Sequence, residues 1–204
     1  HTAAHLDYDA SVQPHYDTAA MERQTEAVLA FASAVLQRLD GVVLDRARME
    51  LAATVGLEHF TALLGEQLLT TRDQLHDADP EFAALWLWHA VEEIEHKAVA
   101  FDVFKTIGGT YTERIVAFVI ATIAIYLKLL HNAAQMLHRD GELFDPDAWF
   151  ELVYGAVVEP GMFRKAAAGY FAYLRPDFHP WDQDDRPLIE LFRREYETTL
   201  APFV

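Results

Sequence analysis

The stretch WLWHAVEEIEHKAVAFDVF, residues 86–104, is apolar at both ends and carries histidines and glutamates in its middle. On a helix that advances by about 100° per residue, His89, Glu93 and His96 fall within roughly 40° of one another. Apolar residues continue the same stripe above and below them. The pattern therefore predicts that these three polar side chains face the interior of a helical protein.

The neighbouring positions point in other directions on the same helix. Glu92 lies at the edge of the stripe, as an additional metal ligand or a residue that contacts one. Glu95 and Lys97 turn away from the stripe. Beyond the three polar residues, the stripe is predicted to continue through Val99 and Val103 on one unbroken helix.

An inward row of two imidazoles and one carboxylate requires a compensating charge, because an unpaired buried charge costs several kcal/mol. A bound cation supplies that charge, and imidazole and carboxylate suit iron, manganese and zinc. The alternative is a buried network of histidine and glutamate without a metal. Three ligand-type residues on one stripe favour the metal.

A second helix offers a further carboxylate within MELAATVGLEHFTALLGE, residues 49–66. Glu58 has apolar or small neighbours at helical spacing, which predicts that it points inward and binds the metal. The alternative is a boundary position where Glu58 pairs with an arginine. His59 lies about 100° further around the helix, so it is predicted to support the ligands or to pack in the core.

The first five residues, HTAAH, place His1 and His5 at i and i+4 on one helical face. Glu-x-x-His is a common ligand unit of di-metal sites in helical bundles. If His1 ends such a unit, its glutamate and one or more helices precede residue 1. His5 is then next along that face, as an additional ligand or a residue that contacts one. The alternative is a frayed chain end or the remnant of an expression tag.

The whole chain of 204 residues reads as one all-α domain, residues 1–204. Only 9 Gly and 8 Pro, and no segment of strand period, favour a helical bundle with additional C-terminal helices. Asp79-Pro80 predicts a helix start, and Thr110 or Thr112 predicts another. The expected helices cover about 18–39, 42–72, 80–108, 112–138, a segment from 147 to a break at 159–161, 162–174 and 188–200.

The amino-acid composition excludes some classes of binding partner and of chemistry. The formal net charge of -16 repels phosphate backbones, which argues against nucleic acid. Without cysteine, disulfides, thiolate zinc sites and a cysteine nucleophile are excluded, and a cytoplasmic location is predicted. The apolar run 115–130 is shorter than the ~20 residues of a membrane span. It predicts a buried helix or a contact between copies of the chain, with membrane association as the alternative.

Three segments together resemble a known family. WHAVEEIEHKAVAFDVF (88–104), LEHFTALL (57–64) and HTAAH (1–5) resemble the bacterial family of predicted metal-dependent hydrolases, a group of the ferritin-like superfamily. The similarity covers residues 1 to about 130. It implies a ferritin-like helical bundle that holds a metal centre.

The ligand spacing is also similar to that of di-iron arylamine N-oxygenases, which carry Glu, then Glu-x-x-His, then Glu, then His-x-x-x-Glu-x-x-His. The resemblance implies that His1 belongs to the second group and Glu58 is the third. His89, Glu93 and His96 then form the fourth group. The first two glutamates have no counterpart in this sequence. The implied cofactor is two iron ions, with a manganese–iron pair or zinc as alternatives.

Three functions follow from such a site. The first is an O₂-activating oxidase or oxygenase, which needs an electron donor and acts on a small apolar or aromatic substrate. The second is a hydrolase in which a metal activates water, and the third is an iron-binding or storage protein. An apolar substrate is expected because no basic phosphate pocket is evident and several aromatic residues could line a dry pocket: Phe60, Trp86, Phe101, Phe104, Phe118 and Tyr126.

Overall fold

A computed structural model of the chain describes residues 17–39, 45–72 and 75–195. These residues form helices and connecting turns without any strand, which confirms the all-α prediction. The helices are α1 (Thr18–Leu39), α2 (Arg46–Thr71), α3 (Pro80–His96), α4 (Val99–Thr106), α5 (Tyr111–Asp140), α6 (Pro146–Val157), α7 (Met162–Ala172) and α8 (Arg186–Glu195), with a 3₁₀ turn at Pro180–Asp182.

Helix α2 is the centre of the arrangement. It packs against α3 and α5 over much of its length, and also contacts α1, α4, α7 and α8. Its buried positions lie around most of its circumference, as expected for a helix surrounded by others. The largest core cluster joins α2 to α4, α5 and the segment after α7, through residues that include Met49, Val55, Phe104, Phe118 and Tyr173.

The predicted helix starts are confirmed. Asp79 accepts a hydrogen bond from the Glu81 amide at 2.9 Å, and Pro80 occupies the first turn of α3. Thr110 and Glu113 form a reciprocal capping box at the start of α5. The break predicted at 159–161 also follows α6.

The expected single helix over 80–108 is wrong, because it is interrupted between α3 and α4. The expectation that Lys97 turns away from the protein interior is also wrong, because its side chain is only 3% exposed. Its ammonium donates to Asp185 Oδ2 at 2.6 Å and to the Gln183 carbonyl at 2.7 Å, and lies 4.4 Å from the Trp181 ring centroid. A buried charge needs such partners, and here they come from the segment before α8.

The buried face of α4 is not the one that the sequence predicts. Val99 and Val103 were expected on the buried stripe, but they are 62% and 49% exposed. Phe101 and Phe104 enter the core instead. The stripe of His89, Glu93 and His96 therefore does not continue as a buried face through α4.

Helix α5 corrects the expectation of a buried apolar helix. It has 30 residues, and only 17% of its most apolar window is buried. Among the described residues, it alone is long and apolar enough to cross a membrane. Several large apolar side chains of α5 and α6 are exposed, including Ile123, Leu127, Phe150 and Val153. Contact between copies and the cytoplasmic location stay predictions.

His1 and His5, and the helix end predicted around them, lie outside the described residues. The single domain over 1–204 and the preceding helices likewise stay predictions.

Glu113 links α5 to the start of α2. Burial by itself would raise the pKa of Glu113, but hydrogen bonds from Arg48, Thr110 and the Asp45 amide outweigh it and lower the pKa to about 2. The Arg48 guanidinium lies 2.9 Å from Glu113 Oε1, and the carboxylate side chain is 3% exposed. The charged form is therefore favoured in the folded protein.

We predict that Glu113→Gln lowers the unfolding free energy at pH 7 by up to about 3 kcal/mol. The contribution of this carboxylate is complete above pH 4.5 and is lost as the pH falls toward 2. Urea unfolding of the wild type should thus become easier across that window, and less so for the variant. Glu50→Gln, which removes an exposed carboxylate paired with Arg46, is the control. Equal stability of both variants at pH 7 would contradict the prediction.

Candidate metal centre

The candidate site lies beside a close contact between α2 and α3. A Cβ atom on Gly65 would lie 2.8 Å from the Ala90 carbonyl oxygen, so only glycine fits at this crossing. About one helical turn from this contact, Thr61 of α2 donates a hydrogen bond to Glu93 of α3. The two helices are therefore antiparallel here, and their polar positions are held opposite each other.

Glu93 is the best-defined member of the site. Its Oε2 accepts from Thr61 Oγ1 at 2.5 Å, and its Oε1 lies 3.4 Å from His89 Nε2. The side chains of His89 and Glu93 are 19% and 17% exposed. Both side chains are therefore partly buried, whereas the fully buried residues of α3 are Ala84, Leu87, Ala90, Val91 and Ile94. The assignment of His89 and Glu93 as metal ligands stays a prediction.

Glu58 also turns toward this site, as predicted. It is partly buried, and its Oε2 has no hydrogen-bond partner among the described residues. Burial raises the pKa of Glu58, the negative charge of Glu93 raises it further, and His96 lowers it. The two carboxylates and His96 thus lie close enough to affect one another electrostatically.

His96 differs from the expectation of an inward position. It is the last residue of α3, and its side chain is exposed. On a helix that advances by about 100° per residue, His96 lies roughly opposite the fully buried Ile94 and therefore faces solvent. Glu92, at the edge of the stripe, is partly buried, as its helical phase predicts.

His59 packs in the core. Its ring stacks on Tyr173 at 4.9 Å between centroids and meets Phe178 edge-on at 5.0 Å. Its Nε2 is 3.1 Å from the Gly169 carbonyl oxygen. Burial lowers the pKa of His59 to about 4, so the ring is neutral at pH 7. Of the two predicted roles for His59, the structure supports packing.

The donor set suits a cation. Glu58 and Glu93 affect each other electrostatically, and one buried oxygen of Glu58 has no partner among the residues that the structure describes. Such carboxylates gain stability from a positive ion, and the nearby imidazoles add nitrogen donors. Over 17–39, 45–72 and 75–195, no three histidine, cysteine, aspartate or glutamate side chains are preassembled around one point. The ligand set Glu58, His89, Glu93 and His96, with His1 outside these ranges, stays a prediction.

An apolar cavity of about 350 Å³ adjoins the site. Each helix contributes one face to it at i, i+3, i+4 and i+7 spacing. The lining residues are Thr61, Leu64, Gly65 and Leu68 of α2, Trp86, His89, Ala90 and Glu93 of α3, and Leu75 and Met162. The candidate ligands His89 and Glu93 therefore form part of the wall of a pocket large enough for a small molecule.

Sequence reasoning identified only part of this pocket. Of the aromatic residues expected to line it, Trp86 does so. Phe101, Phe104 and Phe118 belong to the main core, and Phe60 packs with Phe163. The Thr61 contact with Glu93 was missed. The sequence indicates this contact only through spacing: Thr61 follows Glu58 by three residues and so lies on the same face of the helix.

The fold and the site define a helical protein with a carboxylate and imidazole centre beside an apolar pocket. A family model described as "Predicted metal-dependent hydrolase" matches residues 1–184, and the chain belongs to this family. No curated protein and no solved structure matches the chain. Membership implies a metal cofactor, while the ferritin-like relationship, the number of ions and their identity stay predictions.

We predict that Glu93→Ala removes more than half of the bound metal, because it deletes a carboxylate donor at the centre of the site. Elemental analysis of the purified proteins measures this. Glu95→Ala is the matched control, since Glu95 is exposed and lies 2.5 Å from Arg193. Unchanged metal content in Glu93→Ala would remove that residue from the site, and a large loss in Glu95→Ala would show that the wrong face of α3 was assigned.

Proposed function

We propose that this protein is a metal-dependent hydrolase that acts on a small apolar substrate. The observation that carries the proposal is the position of His89 and Glu93 in the wall of the apolar cavity between α2 and α3. A substrate in that cavity would have its reacting group beside the candidate metal ligands. Membership of the family supports hydrolysis as the reaction.

Glu58, Glu93, His89 and His96 are the residues that we assign to the metal. A bound metal ion supplies Lewis acidity, which polarises a carbonyl group and makes a water molecule more acidic. His1 is a further candidate ligand from the resemblance in sequence. Zinc, iron and manganese all suit this set of oxygen and nitrogen donors.

The protein's own groups orient the reaction. Thr61 fixes one oxygen of Glu93, which leaves the other oxygen facing His89. Glu58 Oε2, which has no hydrogen-bond partner within the described part of the chain, is the atom that we assign to accept a proton from the attacking water. The apolar walls shield part of the site from bulk water, which strengthens these electrostatic interactions.

An O₂-activating di-iron oxidase or oxygenase is the second candidate. It is favoured by the proximity of Glu58 and Glu93, whose negative charges affect each other. Two neighbouring carboxylates can bridge two metal ions, which is the arrangement used for O₂ chemistry. This reaction would also need an electron donor. Iron storage is a third function that the same ligands would allow.

We expect Glu93→Gln to lower kcat for p-nitrophenyl ester hydrolysis by at least about 100-fold, because an amide is a poorer metal ligand and a poorer hydrogen-bond acceptor than a carboxylate. Initial rates measured with zinc, manganese or iron provide the comparison. The Glu95→Gln variant should keep the wild-type rate. Hydrolysis that is equally fast in Glu93→Gln would contradict an active site at this position.

A separate measurement distinguishes the two candidate functions. If the protein is a hydrolase, zinc supports turnover and the iron-loaded protein consumes no O₂ beyond the autoxidation of free iron. If it is a di-iron oxidase, the anaerobically reduced iron form consumes O₂ stoichiometrically and develops a near-ultraviolet ferric absorption band. An oxygen electrode and stopped-flow absorbance measure both. Rapid O₂ uptake without esterase activity would favour the oxidase.

A further inference from the structure

The cavity between α2 and α3 has a polar end and an apolar end. Thr61 and Glu93 face each other at one end, where they share a hydrogen bond. Gly65 and Ala90 meet near the middle. Leu68 and Trp86 line the other end, because the two helices run antiparallel.

The length of the cavity follows from helix geometry. Glu93 and Trp86 are seven residues apart on α3, which corresponds to about 10 Å along the helix axis. The volume of about 350 Å³ is that of roughly a dozen water molecules, so a ligand with about as many non-hydrogen atoms fits. Leu75, before α3, and Met162, at the start of α7, also line the cavity.

The charges select the kind of ligand. Among the described residues that line the cavity, none is lysine or arginine, and the one carboxylate is Glu93. Glu58 adds a second negative charge nearby. With a metal held by Glu58 and Glu93, the polar end would accept the oxygen of a carbonyl group, and the apolar remainder of the lining offers a charged ligand no partner.

We propose that this cavity binds a neutral, elongated apolar ester, with its carbonyl group at Thr61 and Glu93 and its acyl or aryl body along Leu64 toward Leu68 and Trp86. The identification of an ester rests on the proposed hydrolase function. Leu68 and Leu75 are then the residues that limit the length of the substrate. An acyl chain of about eight carbons spans the roughly 10 Å between the two ends.

The first test measures binding without any reaction. The neutral dye 1-naphthylamine, which has about as many non-hydrogen atoms as the cavity accommodates and whose emission shifts in apolar surroundings, is titrated into the wild type and into Leu68→Trp. The indole fills the apolar end, so we expect dye affinity to fall at least tenfold. Leu191→Trp adds the same side chain at an exposed position of α8 and should bind the dye like the wild type.

The second test measures chain-length selectivity. For p-nitrophenyl esters from acetate to decanoate, we expect kcat/KM of the wild type to rise roughly fourfold per methylene, as each is buried, up to about eight carbons. In Leu68→Trp the optimum should move to shorter chains. Leu75→Trp provides the same test from the turn before α3 if Leu68→Trp fails to give the wild-type circular dichroism spectrum.

The outcomes separate the two proposals. Dye binding that is lost in the tryptophan variants, with no ester hydrolysed by any form, retains the cavity as a binding site and overturns the hydrolase. Ester hydrolysis with no dependence on chain length, or with the same dependence in folded Leu68→Trp and Leu75→Trp, retains the hydrolase and overturns the cavity proposal. Dye affinity equal to wild type in both folded variants also overturns it.

Discussion

The close approach of α2 and α3 at Gly65 is the constraint on which the site depends. Because Gly65 has no side chain, the Ala90 backbone can lie against α2, and a Cβ atom there would be 2.8 Å from the Ala90 carbonyl oxygen. This contact brings Thr61 within hydrogen-bonding distance of Glu93. The carboxylates of two separate helices are thereby placed near each other, which neither helix could achieve alone. The central position of α2 in the bundle fixes this geometry.

Two different solutions to buried charge occur close together in this chain. Lys97 is neutralised within the protein by Asp185, and both side chains are almost fully buried. Glu58 and Glu93 instead have like charges, and Glu58 retains an oxygen without a partner among the described residues. A bound cation would stabilise Glu58 and Glu93, since the burial of two like charges is unfavourable without one. The Lys97 pair is structural, whereas the glutamates form the candidate centre.

The cavity between α2 and α3 also results from the packing of these two helices. Its walls repeat the helical i, i+3, i+4, i+7 spacing on both α2 and α3, so that a polar and an apolar end follow from antiparallel packing. The exposed apolar side chains of α5 and α6 form a separate surface of the molecule. The chemistry proposed for this family member therefore depends on one helix pair, supported by the remaining helices.

The sequence alone predicts the helices and their starts at Asp79-Pro80 and Thr110, because these depend on local capping and on helical periodicity. Periodicity also singles out Glu58, His89 and Glu93, which are partly buried in the structure, and their role as ligands stays a prediction. Tertiary structure decided the rest. The break after His96 accompanies the burial of Lys97 against Asp185, 88 residues further along the chain. The exposure of α5, the hydrogen bond between Thr61 and Glu93 and the cavity likewise depend on which helices meet. Periodicity specifies the buried face of a helix, but only packing specifies what that face contacts.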